Sequence, residues 1–131
     1  PIMLDESLNS DAAITRLIAA KGALWGHLNL VKLGGLAPTL AAANRLRLAD
    51  VPFMIGQMNE GHAATAAALQ LCRVVQPAFA ELYGADGLTD DPVSGLEYRN
   101  GLVTVNDSPG LGVQFNAAQA HLLQEFTHAR C

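Results

Sequence analysis

The chain has 131 residues, half of them hydrophobic and 15% charged, with a formal net charge of −4. That length and composition suit one packed domain and exclude a disordered tail. Its charges are spread without a Lys/Arg cluster, which argues against nucleic acid, and no apolar run reaches the roughly 20 residues of a membrane-spanning helix.

The first unit is strand-like over Pro1–Leu4, continues as a loop through Asn9, and enters a helix capped by Ser10. Asp11 suits the first-turn dipole, Ile14, Leu17 and Ile18 share one face, and Gly22 closes the helix. A second unit places a strand at His27–Val31, a turn at Gly34-Gly35 and a helix from Pro38 to about Leu48, with proline at its first position. A third has Val51–Ile55 as strand and an Ala/Leu-dense helix from about Glu60 to Val74; Ala78–Leu82 is a fourth candidate strand. Short apolar strands alternating with helices predict parallel βαβ units covered on both faces. The pattern then changes: Leu96–Val105 alternates around Asn100-Gly101, a type I′ hairpin signal, and a last helix is expected over about Ala117–Thr127. Four units cannot close a barrel, so they form either an open sheet or half of a barrel.

Cys72 lies in an apolar helical run and Cys131 ends the chain, which is not a disulfide framework. No secretory leader opens the sequence, so a soluble cytoplasmic protein is the expectation. The chain begins with Pro1 rather than Met, as expected of a processed start or of a piece of something longer.

In parallel α/β folds, chemistry gathers at the carboxyl ends of strands. There the sequence offers Asp5 and Glu6, then Asn29 and Lys32, then Gln57 and Glu60. Asp5 and Glu6 are hard oxygen donors suited to Mg²⁺ or Mn²⁺, although adjacent acids before a helix more often solvate a loop. Lys32 beside Gly34-Gly35 is not a phosphate loop, and the four histidines read as structural. An N-terminal proline amine could also act as the base of a tautomerase.

Together, "PIMLDES" at 1–7, "LNLVKLGGL" at 28–36, "MIGQMNEG" at 54–61, "ELYGADGLTDD" at 81–91 and "SPGLGV" at 108–113 carry a family pattern in order. The sequence resembles the C-terminal barrel half of the mandelate racemase and muconate lactonizing enzyme family of the enolase superfamily, and within it the muconate cycloisomerase branch. The resemblance implies a (β/α)8-barrel half over 1–95, followed over 96–131 by a C-terminal hairpin and helix returning toward a capping domain. It implies an isomerase that forms an enolate next to a carboxylate with Mg²⁺ or Mn²⁺, acts on a small carboxylate substrate and assembles as a homo-oligomer when complete.

By the same resemblance Asp5 is the last of three carboxylate metal ligands, and Glu60 is a candidate acid or hydrogen-bond partner facing the substrate carboxylate. The other two ligands, a first lysine base, the first barrel half and the capping domain have no counterpart in these 131 residues, so the chain alone is expected to be inactive. Asn29 stands where the family's second catalytic lysine belongs. Lys32, three residues on, points to the opposite face for as long as the strand continues. An amide cannot accept a proton but can donate hydrogen bonds to an enolate. One remaining base favours a cycloisomerase over a racemase or epimerase of N-acyl amino acids or dipeptides. A non-catalytic half-barrel is the further alternative.

Overall fold

Ser10 takes an extended backbone, and its hydroxyl accepts the Ala13 N–H at 3.3 Å, which starts α1 (Asp11–Ala19) directly after the loop that follows β1 (Ile2–Leu4). The computed structural model describes residues 1–22 and 24–125. The chain continues as β2 (Leu24–Asn29), α2 (Leu30–Leu33), α3 (Leu36–Leu48), β3 (Phe53–Gly56), α4 (His62–Val75) and β4 (Phe79–Ala80). These four strands form one sheet in the order β1-β2-β3-β4, with every neighbouring pair parallel. No helix among the described residues is long and apolar enough to cross a membrane.

Side chains alternate across the sheet as the two-residue period requires. Leu28 and Ile55 are fully buried in the core, where Ile14 and Leu17 of α1, Leu46 of α3 and Leu71 of α4 meet them. Gly26 shares that face, and a Cβ there would crowd Leu46, Leu8 and Leu17 at 3.1–3.3 Å. Trp25, His27 and Asn29 alternate with these residues and face the other way. On that face Trp25 stacks on Phe79, with ring centroids 5.4 Å apart.

After β4 the pairing becomes antiparallel. β5 (Val93–Ser94) pairs with β8 (Gln114–Phe115), and β6 (Leu96–Arg99) with β7 (Leu102–Val105). The β6–β7 turn has positive φ at both Asn100 (52°) and Gly101 (76°), as the type I′ signal requires.

Several sequence expectations are corrected. Helix α1 ends through Lys21, at φ 38°, and not through Gly22. Pro38 is the third residue of α3, still within the first turn, whose N–H groups lack helical partners in any case. Strand β2 starts three residues earlier than expected and stops at Asn29, and β4 has two residues where five were expected. Ala117–Gln119 is a single 3-10 turn, and residues 120–125 carry no regular structure. The expected end of that helix, Phe126 and Thr127, lies outside the described residues.

Candidate active site

Where β2 ends, the chain turns sharply. Asn29 is extended, its side-chain carbonyl accepts the Val31 N–H at 3.1 Å, and the one-turn helix α2 begins. Gly34, at φ 94°, closes that turn through its N–H to the Leu30 carbonyl. The strand has therefore ended before Lys32, so the alternation of a strand does not set the direction of its side chain. Its ammonium turns back to the Asp5 carboxylate beyond β1 and reaches the His27 carbonyl at 3.5 Å.

Asp5 receives two groups on one oxygen. Lys32 Nζ and His27 Nδ1, the latter at 3.0 Å, both approach Oδ1. The Lys32 side chain is 8% exposed and that of His27 11%, whereas Asp5 keeps 37%. Burial pushes the Asp5 carboxyl up, but the Lys32 hydrogen bond and the charges of His27 and Lys32 outweigh it and hold Asp5 below the ordinary carboxylate range. Nε2 of His27 is buried without a partner. The ring lies over Gly56, where a Cβ would overlap it. Sequence reading passed over His27, although its two-residue offset from Asn29 already put both on one face.

Glu60 follows β3 in the loop before α4, with one carboxylate oxygen buried and unpartnered. Nearby Gln57 is buried with neither amide atom bonded. Among the described residues no hydrogen bond or ion pair joins Glu60 to Asp5, Asn29 or Lys32. Asp91 organises the start of α4: it accepts the His62 N–H at 2.6 Å and the Val93 N–H at 2.8 Å, and meets His62 Nδ1 at 2.9 Å. Gly61, the N-cap, has no side chain for this task, and Asp91 fills it from 30 residues away in sequence. The sequence read 84–95 as loop and contained no local signal for that cap.

A groove of about 530 Å³ between α4, β4 and the β6–β7 hairpin is lined by Leu69, Cys72, Tyr98 and Leu102, among others, and includes none of Asp5, Asn29, Lys32 or Glu60. The donors also set a limit on metal binding. Asp5 is a hard oxygen donor at a strand end, partly exposed, with Oδ2 taken by neither His27 nor Lys32, so it fits a Mg²⁺ or Mn²⁺ as one ligand. No group of three His, Cys, Asp or Glu residues comes together among the described residues, so the site is a partial one.

A four-stranded parallel sheet with its helices on one face and its polar side chains at the strand ends is the architecture of a partial (β/α)8 barrel. Residues 1–120 match the enolase C-terminal domain-like family, and the chain belongs to it. It is 28% identical to the N-succinyl-L-Arg/Lys racemase of Bacillus cereus over 130 residues, 97% of this chain and 34% of that protein. The muconate lactonizing enzyme of Pseudomonas putida superposes with a TM-score of 0.81 at 29% identity, covering 91% of this chain and 34% of that one. A dipeptide epimerase from Methylococcus capsulatus, solved with Mg and the dipeptide L-Arg-D-Lys, superposes at 0.79 with 32% identity, covering 87% and 33%. The chain spans about a third of the length of these relatives, all isomerases of the enolase superfamily.

Proposed function

We propose that this chain is the C-terminal barrel half of a divalent-metal-dependent isomerase that moves a proton on one face of its substrate, a cycloisomerase of the muconate type. Asp5 supplies one carboxylate to the metal, and the carboxylates and base that complete the site come from a preceding barrel half. The metal, Mg²⁺ or Mn²⁺, supplies positive charge where negative charge develops on the substrate carboxylate. Glu60, with a buried unpartnered oxygen after β3, is the acid or hydrogen-bond partner.

One observation carries the choice of reaction. At the second base position stands Asn29, buried and with its carbonyl committed to the Val31 N–H. Lys32 is no substitute, because its ammonium is buried and engaged by Asp5 and the His27 carbonyl. Racemisation needs a proton acceptor on each face of the carbon, whereas lactonisation runs on one. The Asn29 amide N–H group is left to donate to substrate.

The similarity to the Bacillus cereus racemase and the Methylococcus capsulatus epimerase favours a second reading, racemase or epimerase of N-acyl amino acids or dipeptides. That reading requires a second acceptor. Product analysis of the whole enzyme decides between them: lactone from a muconate-type dicarboxylate and no racemate from an N-acyl amino acid is expected, and a racemate from either enantiomer rejects the one-base reading.

A further inference from the structure

We propose that Lys32 and His27 are positioning residues that grip the Asp5 carboxylate through Oδ1 and thereby commit Oδ2 as the oxygen that binds a divalent cation. This rests on the reading of Asp5 as a metal ligand. Both grips come from one flank, since His27 lies on β2 and Lys32 on the helix turn that follows it. On the other flank β1 is the edge of the sheet. A carboxylate held by two donors on one oxygen gives up its side-chain torsional freedom before any cation arrives, which lowers the ordering cost of binding. Groups that bond a ligand's spare atom from outside the coordination sphere act in this way in metal sites generally.

Each gripping residue is itself fixed. Lys32 is brought to Asp5 because the Asn29 side chain caps α2 and Gly34 closes it. A strand continued through residue 32 would have carried the lysine away. His27 is held against Gly56, which has no Cβ to displace the ring. Asn29 thus has a conformational role at a position where a lysine could not cap: its short side-chain carbonyl bends the chain that delivers Lys32.

The test is side-chain NMR of the 131-residue chain, using the three-bond couplings from the backbone N and carbonyl C to Asp5 Cγ. In the unmodified chain they should report one χ1 rotamer. Lys32→Met combined with His27→Phe keeps length and apolar burial but removes both donors, and should bring both couplings toward the averaged values of exposed Asp90 while the amide spectrum stays folded. A lowered melting temperature alone would leave the rotamer intact in the folded molecules, so a purely structural role predicts unchanged couplings. Unchanged couplings overturn the proposal. A measurement that needs no variant is the Lys32 ammonium signal, which should be resolved and show a nuclear Overhauser contact to the His27 ring; lack of that contact also overturns it. Trace Mn²⁺ isolates the metal assignment: Asp5 Cγ should broaden before Asp90 Cγ. A fixed rotamer with equal broadening leaves the grip standing and overturns Asp5 as the ligand.

Discussion

The His27 ring occupies the space that a Cβ on Gly56 of the neighbouring strand would take. Two β-strand residues diagonal to each other in the ladder thereby share one volume, and the imidazole that results is aimed at Asp5. Gly56→Ala should displace the ring, costing about 1–3 kcal/mol of stability by overpacking. Chemical denaturation measures it. In a His27→Ala background the same substitution should cost much less, because the clash partner is gone; an equal cost in both backgrounds would separate Gly56 from His27.

Asp91 closes the start of α4 by accepting the His62 backbone N–H and meeting the His62 ring, while its other oxygen accepts the Val93 N–H. Asp91→Ala should cost about 1–2 kcal/mol, the usual range for a lost helix cap. Burial raises this carboxyl, but its bonds from His62 and Val93 prevail and hold it below the ordinary value of 3.8. The sign follows by linkage: the contribution is complete above the unfolded carboxylate range and is lost as pH falls through the lower folded value. Urea unfolding from pH 6 to 2 should show a steeper loss of stability below about pH 4 in the parent than in Asp91→Ala. Parallel curves would contradict the cap.

Metal binding by the 131-residue chain should be weak. Asp5 offers one carboxylate, and no three-residue donor cluster forms among the described residues. Calorimetric titration with Mg²⁺ should find nothing tighter than about millimolar, since affinity follows the number and charge of the oxygen ligands. Tight stoichiometric binding would mean that a complete site exists elsewhere in the chain.

What the sequence made legible was local. Ser10 and Asp11 announced α1 by cap chemistry, Asn100-Gly101 announced its hairpin, and apolar runs between helices announced the parallel sheet in order. The end of β2 was not legible, because Leu28–Leu33 is apolar enough for strand or buried helix and periodicity cannot separate six residues. Only the Asn29 cap and the left-handed Gly34 settle it. The last helix failed for the opposite reason. Its pattern was adequate, but Leu122 and Leu123 are 83% and 95% exposed, and a short helix without apolar partners is marginal. Of the site, Asp5, Asn29 and Glu60 were named by family pattern; in the structure Asp5 bonds Lys32 and His27, while Asn29 caps the turn that follows β2. His27 was missed because a lone histidine carries no signal, and Asp91 because its partner is distant in sequence.

Lys32 and Asn29 give the most direct test. The whole enzyme, incubated in deuterium oxide with each enantiomer of an N-acyl amino acid, should exchange the α-proton of one enantiomer at most, because Asn29 accepts no proton and Lys32 is bound to Asp5. Asn29→Lys should open exchange on the other face only if the new amine titrates low enough to act as a base there. Equal exchange from both enantiomers by the unmodified enzyme, abolished by Lys32→Ala, would contradict the account and make Lys32 the second base.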